Sequence, residues 1–218
     1  IALRLEPQQL WGTLTQLGFG HVTASGFPGE SAGVLSNYAS WRPESIASLS
    51  YGYGMSVTPL QLTQAYAAVG ALGVARPVSM LRVDAPVAGE RVLNERHART
   101  LLGLLESVVV EGTGTKAMIP GYRVAGKTGT AWKASNSGYL EDRYTAVFGG
   151  VAPASSPRLA AVVVIDDPAA GRYYGGDVAA PVFSSVVGGA LRLMGVAPDG
   201  TAGSASDPLT GVATMVQR

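Results

Sequence analysis

The sequence predicts an α+β fold in which an antiparallel sheet is flanked by helices. Capped, amphipathic helical segments fill much of the first half of the chain, three strand candidates follow one another in the second half, and an apolar helical segment comes after them. The strand candidates are joined by short polar spacers, "KASNSGYLEDR" and "APASSPR". Because a parallel crossover needs about a dozen residues or more, these spacers favour antiparallel neighbours.

The composition limits the possible functions. The chain has 218 residues, of which 47% are hydrophobic and 14% charged, enough for one sizeable core. The net charge of +1 comes from scattered residues without a basic run, so no nucleic acid partner is expected. With no cysteine and two isolated histidines, the sequence predicts no metal site and no cofactor. No apolar run approaches the roughly 18 residues of a membrane span.

The first element is predicted to be a short amphipathic helix. Pro7 can occupy its first turn, and Gly18 or Gly20 can end it. Its apolar residues recur at helical spacing: Leu10, Leu14 and Leu17. Residues 21–50 are rich in Gly, Pro, Ser and Asn and lack periodicity, which predicts a long surface excursion without regular structure.

The second helix has the clearest start in the chain. Thr58 is placed as the N-cap, Pro59 as the first helical residue and Gln61 as the partner in a capping box. One apolar face follows, made of Leu62, Ala65, Tyr66 and Val69. Residues 76–93 alternate and are interrupted by prolines, which predicts a small hairpin at a sheet edge.

The third helix is predicted to begin after Asn94 as its cap. Its broad apolar stripe predicts a buried core helix and consists of Ala98, Leu101, Leu102, Leu105, Val108 and Val109.

The sheet is predicted from residues 123–132, 144–151 and 159–165. The run "LAAVVVID" is continuously apolar, which predicts a central strand covered on both faces. A last helix, with Pro181 in its first turn and Gly195 at its end, is expected to pack on the sheet. The domain is therefore expected to span residues 1–198, and residues 199–218 are expected to form a flexible tail.

The motif Lys127-Thr128-Gly129 lies on the first of these strands, at the margin of a predicted groove. A lysine ammonium there is a point charge for a carboxylate, and the threonine hydroxyl can donate to the same group. The glycine allows another backbone to lie alongside, and the N–H of Thr130 is then free to donate to an oxyanion. The tripeptide alone is a weak signal, since a strand lysine is usually a solvated edge charge.

The surrounding sequence resembles the class B penicillin-binding proteins, most closely those of the division-specific type. The resemblance rests on "YGYGMSVTPLQLTQAYAAVGALG", "GYRVAGKTGTAWK" and "FGGVAPASSPRLAAVVVIDDPAAGRYYGG", which occur in order and with compatible spacing, and it extends from about residue 1 to about residue 199. It implies the transpeptidase fold of the penicilloyl-serine transferases, shared with serine β-lactamases, of which this chain would be the C-terminal portion.

Two motifs that accompany Lys-Thr-Gly in that family do not occur here. No lysine follows a serine by three positions, and no asparagine follows a serine by two, so both Ser-x-x-Lys and Ser-x-Asn are missing. In the family both motifs precede Lys-Thr-Gly. The nucleophilic serine is therefore expected on a separate or missing N-terminal fragment of the same protein.

The resemblance implies an enzyme, a serine-type D,D-transpeptidase that cross-links peptidoglycan stem peptides ending in D-Ala-D-Ala and is acylated by β-lactam antibiotics. It implies that Lys127 and Thr128 bind the ligand carboxylate, that Thr128 and Thr130 flank the acyl group, and that the N–H of Thr130 completes the oxyanion hole in the Lys127-Thr128-Gly129-Thr130 strand.

The resemblance also implies an aromatic wall beside that strand. Its expected members are Tyr144, Tyr173 and Tyr174, with Gly175 and Gly176 bringing the backbone close to the ligand. Trp132 departs from the family, because its position tends to be basic in relatives; stacking would then replace a contact to an anionic ligand.

The expected partners, by resemblance, are division-complex membrane proteins that include a septal glycosyltransferase. The expected location is the inner membrane, with the catalytic domain facing the periplasm and the anchor outside this chain. Two other interpretations stay open: a β-lactamase or penicillin-sensing relative, and a non-catalytic scaffold module of a division complex. Acylation with the N-terminal piece present distinguishes the scaffold from the enzyme.

Overall fold

The computed structural model describes residues 2–85, 87–135, 138–169 and 171–200. This part of the chain contains an antiparallel three-stranded sheet with helices on both faces, which confirms the predicted α+β class. The helices are α1 (Pro7–Gln16), α2 (Pro43–Leu49), α3 (Pro59–Gly70), α4 (Glu95–Val110), α5 (Gly175–Val178) and α6 (Ala180–Leu193). The strands are β1 (Val74–Ala75), β2 (Glu90–Arg91), β3 (Ala125–Ser135), β4 (Gly138–Ala152) and β5 (Leu159–Asp166).

The three long strands lie in the order β3-β4-β5. The central strand of the described sheet is therefore β4, and the prediction that β5 is central was wrong. Two successive hairpins place the middle strand of the sequence in the middle of the sheet, whatever its composition. The apolar run of β5 is mostly half-buried, and Val164 is 38% exposed.

The hairpin of β3 and β4 extends further than predicted. Residues 133–143 were expected to form a polar spacer, but the two strands continue to pair as far as Ser135 and Gly138, with an irregularity between Trp132 and Ala134. Polar residues fit here because the far end of the hairpin is largely exposed.

Side chains that alternate along the sheet supply two layers of core. On one face Phe148 packs against Phe183 of α6, with ring centroids 4.8 Å apart, and both rings are fully buried. On the other face Val151 packs with Val69 of α3 and Leu102 of α4. Each fully buried apolar side chain contributes about 1.5–3 kcal/mol. These two layers fix the sheet on which the Lys-Thr-Gly segment lies.

The predicted capping box of α3 is confirmed. The Thr58 hydroxyl accepts from the Gln61 N–H at 3.1 Å, and the Gln61 side-chain oxygen accepts from the Thr58 N–H at 2.8 Å. Gln61 is also completely buried, and its amide nitrogen donates to the carbonyls of His21 at 2.7 Å and Ala32 at 2.8 Å. The helix start thus holds a distant loop in place.

Two helix predictions need correction. Residues 21–50 contain α2, which begins at Pro43 and buries Ile46 and Leu49. The segment is too short for a periodic pattern, and Pro43 was its only start signal. The second correction concerns α4. Asn94 caps this helix as expected, but the helix is amphipathic and not buried, since Leu104 on its outer side is 61% exposed.

A hairpin follows α3 as a separate two-stranded sheet, but its first strand, Val74–Ala75, lies just before the predicted residues 76–93. β1 pairs with β2 in antiparallel fashion, and the described residues show no pairing of this ribbon with the main sheet. It does not form a sheet edge as predicted, because only two residues on each side pair.

The end of the described chain is attached to the domain. α6 begins with Pro181 in its first turn and is followed by Gly195 with a left-handed backbone, as predicted. The Asp199 carboxylate accepts from the backbone N–H groups of Arg123 at 2.8 Å and Ser155 at 3.1 Å. Of the expected flexible tail, residues 201–218 lie outside the described residues. No helix in the described ranges is long and apolar enough to cross a membrane.

Candidate active site

The outer edge of β3 is not covered by another strand in the described part of the chain. In the described sheet β3 pairs with β4 alone, and the N–H of Trp132 points away from β4 and donates to the Tyr53 hydroxyl at 3.2 Å. Since backbone groups on an antiparallel strand alternate in direction with a period of two residues, Thr130 and Thr128 direct their N–H and C=O groups to the same outer edge. An extended ligand can pair there.

Lys127 and Thr128 converge at this edge. The Lys127 ammonium donates to the Thr128 carbonyl at 2.8 Å and to the Thr128 hydroxyl at 3.2 Å. The other two lysines of the chain are ion-paired: Lys116 to Asp177 at 2.6 Å and Lys133 to Asp166 at 2.7 Å. Lys127 has no carboxylate partner among the described residues, so its charge is available to a ligand carboxylate.

Thr113, in the turn after α4, is a candidate site residue that the sequence interpretation missed. Its hydroxyl lies 2.7 Å from the hydroxyl of Thr128. An ammonium can only donate, so the Thr128 oxygen accepts from Lys127. If Thr113 also donates to the Thr128 oxygen, both lone pairs of that oxygen are used. The single proton of the Thr128 hydroxyl then points to the ligand. The Gly-rich stretch "EGTGT" was the available signal, but nothing in it indicated which strand it contacts.

The side chain of Thr130 anchors the start of α5. Its hydroxyl accepts from the Gly175 N–H at 3.0 Å, which brings Gly175 and Gly176 against β3. A Cβ at Gly175 would collide with the carbonyl oxygens of Gly129 and Val147, and a Cβ at Gly176 with the carbonyl oxygen of Thr113. Both positions therefore require glycine for close packing.

The three expected tyrosines form one group next to this anchor. Tyr144 stacks on Tyr173 with ring centroids 4.1 Å apart and an angle of 12° between the rings. The ring centroids of Tyr173 and Tyr174 are 4.5 Å apart. The Tyr173 hydroxyl donates to the Tyr174 hydroxyl at 3.3 Å, and this hydrogen bond raises the pKa of Tyr173 to about 12. Since Tyr174 directly precedes Gly175, this tyrosine wall lies beside Thr130.

The ion pair between Lys116 and Asp177 holds α5 to the turn before β3. Hydrogen bonding to the Lys116 ammonium lowers the pKa of the Asp177 carboxyl. Within the described ranges no group of three or more His, Cys, Asp or Glu side chains is placed to hold a metal ion. The chemistry that this arrangement supports is recognition of an anionic, peptide-like ligand.

The fold and this edge strand define a class of protein. The model of the penicillin-binding protein transpeptidase domain matches residues 1–188. The chain belongs to this family, and the predicted family and fold are confirmed.

Particular relatives carry the name peptidoglycan D,D-transpeptidase. The chain is 48% identical over 200 residues to the peptidoglycan D,D-transpeptidase FtsI of Escherichia coli K12, a match that covers 91% of this chain and 34% of the relative. It is 41% identical over 199 residues to the probable peptidoglycan D,D-transpeptidase PenA of Neisseria meningitidis serogroup A, with the same coverage of both chains. The chain thus spans about a third of the length of these curated relatives.

A solved structure shows the same fold. The apo transpeptidase domain of penicillin-binding protein 3 from Burkholderia pseudomallei superposes with a TM-score of 0.87 at 41% identity. The match covers 92% of this chain and 61% of that one.

Proposed function

We propose that this chain forms the carboxylate-binding part of a peptidoglycan D,D-transpeptidase whose serine nucleophile lies on an N-terminal fragment of the same protein. The observation that carries the proposal is Lys127, which lies at the outer edge of β3 beside Thr128 and has no carboxylate partner among the described residues. The names of the relatives in E. coli and N. meningitidis support the same reaction.

In the proposed reaction a stem peptide lies along β3 with its terminal carboxylate at Lys127 and Thr128. The serine oxygen attacks the carbonyl of the D-Ala-D-Ala amide, and the Thr130 N–H donates to the oxyanion. The C–N bond breaks, the terminal D-Ala leaves as an amine after gaining a proton, and an acyl-enzyme remains. An amine of a neighbouring stem peptide then attacks this ester, which forms the cross-link and releases the serine.

A β-lactam would occupy the same edge and stop the reaction at the acyl-enzyme. Its carboxylate would take the place of the peptide carboxylate at Lys127. The tyrosine wall of Tyr144, Tyr173 and Tyr174 would contact the rest of the ligand, supported by the close packing of Gly175 and Gly176.

We place the reaction in septal cell-wall synthesis, at the inner membrane with the catalytic domain facing the periplasm and the anchor outside this chain. Division-complex membrane proteins, including a septal glycosyltransferase, are the proposed partners. The similarity to FtsI supports this placement.

The test measures acylation of the complete protein by a fluorescent penicillin, followed by intact mass. Lys127→Ala is expected to slow acylation about 10- to 100-fold, because a charge-assisted hydrogen bond to the ligand contributes about 1.5–3 kcal/mol. Lys133→Met is the matched control, since Lys133 lies on the same strand but pairs with Asp166.

Three results would contradict the proposal. If the complete protein is never acylated, the scaffold interpretation replaces it. If the acyl-enzyme is hydrolysed within seconds, the protein is a β-lactamase. If Lys127→Ala acylates as fast as Lys133→Met, the outer edge of β3 is not the carboxylate site.

A further inference from the structure

A second concave region adjoins β3 beyond the part assigned to the carboxylate. It has a volume of about 620 Å³, within the range of ligand-binding sites. We call it the aromatic cleft and define it by six of its lining residues: Trp41, Glu44, Tyr51, Tyr53, Trp132 and Tyr139. Three of its rings are more than half exposed, Tyr51 by 69%, Tyr139 by 53% and Trp132 by 52%.

The cleft is held to the strand by Tyr53. The ring of Tyr53 meets Tyr51 and Tyr139 edge to face, with centroids 5.8 and 5.6 Å apart and interplanar angles of 62° and 81°. Its hydroxyl accepts from the Trp132 N–H, and Trp132 lies 6.2 Å from Tyr139. Rings at such steep angles present their faces in several directions around one space, as in an aromatic cage.

The electrostatics of the cleft favour a cation. Aromatic faces carry partial negative charge, and Glu44 makes no side-chain hydrogen bond or ion pair with any described residue. No Lys, Arg or His is among the described residues that line the space. The next residue of β3, Lys133, is neutralised by Asp166.

The position of the cleft along β3 identifies which part of a ligand reaches it. A peptide paired with β3 advances about 3.3 Å per residue. If its carboxylate lies at Lys127 and Thr128 and its reacting carbonyl at Thr130, the residue before D-Ala-D-Ala lies next to Trp132. The Trp132 N–H is already bound to Tyr53, so backbone pairing ends there, and the side chain of that residue comes within reach of the cleft, which both Tyr53 and Trp132 line.

We propose that the aromatic cleft binds an ammonium group on the side chain of the amino acid that precedes D-Ala-D-Ala in the donor stem peptide. The proposal rests on the proposed function, and the transpeptidase reaction itself requires stem peptides that carry a free amine. The cleft then selects donors in which that amine has not yet been consumed by cross-linking.

The test compares two donors that differ in one charge, Nα-acetyl-Lys-D-Ala-D-Ala and its Nε-acetylated form. Release of D-Ala by the complete protein gives kcat/KM for each donor. The free amine is expected to be preferred about 10-fold, in the range that cation–π contacts and one carboxylate supply. The ratio between donors is taken within each variant, so the fraction of active protein cancels.

Glu44→Gln and Trp132→Arg are expected to reduce this ratio, and Trp132→Arg to invert it because it places a positive charge in the cleft. Glu90→Gln, on the exposed β2 strand, is the matched carboxylate control and is expected to keep the wild-type ratio. A ratio near one in the wild type overturns the ammonium proposal.

A neutral probe separates the remaining alternatives. If tetra-N-acetylchitotetraose quenches tryptophan fluorescence in a Trp132-dependent manner while the two peptides behave alike, the cleft is a sugar site and the proposal is wrong. Fluorescent penicillin is run in parallel: if the wild-type protein labels but the donor ratio is one, the ammonium proposal alone fails. If it does not label, both proposals fall.

Discussion

The two halves of the outer edge of β3 differ in how many of their polar groups already have protein partners. The threonine end comprises Thr113, Thr128, Thr130 and Gly175. Each of its hydroxyls is hydrogen-bonded within the protein, and Gly175 packs so closely that there is no room for a Cβ. In the aromatic cleft the Glu44 carboxylate has no described partner and three rings are mostly exposed. These contacts fix the geometry of the first region, whereas the second leaves its carboxylate and rings exposed to the side chain of the proposed donor. Substitutions at the threonine end should therefore affect every ligand, and those in the cleft only some.

The largest effect is expected from Gly175→Ala, which disrupts the threonine end. The new Cβ would overlap two carbonyl oxygens, of β3 and β4, and neither can move without disturbing the sheet. Such overpacking costs about 1–3 kcal/mol of unfolding free energy. We expect a lower thermal midpoint and penicillin acylation slowed at least about 10-fold.

Gly103→Ala is the control for this substitution. Gly103 lies on the exposed side of α4 with nothing near its missing Cβ, so alanine there should stabilise the helix by up to about 1 kcal/mol. Equal thermal midpoints for the two variants would show that Gly175 is not tightly packed.

A smaller effect is expected from Thr113→Val, which sharpens the comparison by removing one hydrogen bond from the threonine end. Valine removes the 2.7 Å contact between the Thr113 and Thr128 hydroxyls; if Thr113 is the donor in that contact, the Thr128 hydroxyl loses the partner that leaves its own proton directed toward the ligand. A neutral hydrogen bond contributes about 0.5–1.5 kcal/mol, so the apparent affinity for penicillin should fall about 2- to 10-fold. The measurement is the concentration dependence of acylation.

Thr113→Ser should restore most of that affinity, since the hydroxyl is kept. If serine and valine behave alike, the hydroxyl pair does not orient Thr128. A positioning role predicts a change in the affinity for penicillin with the limiting rate of acylation largely kept.

The smallest effect is expected from Tyr53→Phe, at the junction of the two regions. The substitution leaves the Trp132 N–H without its partner but keeps the ring contacts. Loss of this hydrogen bond should lower the free energy of unfolding, measured in urea, by about 0.5–1.5 kcal/mol. Tyr173→Phe is the matched control, because it removes a hydroxyl bonded only to another exposed hydroxyl. If Tyr173→Phe lowers the free energy of unfolding more than Tyr53→Phe does, the hydrogen bond to Trp132 does not hold the cleft to β3.

Local signals in the sequence were sufficient for several of these features. The capping residues Thr58, Gln61 and Asn94 act within one turn of their own helix, so their roles follow from spacing alone. Lys127 and Thr128 lie on a strand, as the sequence predicted. The family motif then gave the threonine end most of its residues.

Features that depend on contacts between distant segments were not predictable in the same way. The pairing of Thr113 with Thr128 and the burial of Gln61 under the loop around Ala32 require the folded arrangement of the chain. The aromatic cleft joins the loop at Tyr53 to a strand that follows much later, through one hydrogen bond to Trp132. The position of β4 at the centre likewise follows from connection geometry rather than from hydrophobicity.

The carboxylate of Asp199 has a consequence for where this domain can be cut. One carboxylate oxygen accepts from the Arg123 N–H, just before β3, and the other accepts from the Ser155 N–H, in the turn between β4 and β5. A single side chain thus links these two segments. A protein shortened to Met194 would leave both N–H groups without that acceptor, directly before the strand that carries Lys127. The shortest recombinant fragment that keeps both of these hydrogen bonds therefore ends at or beyond residue 199.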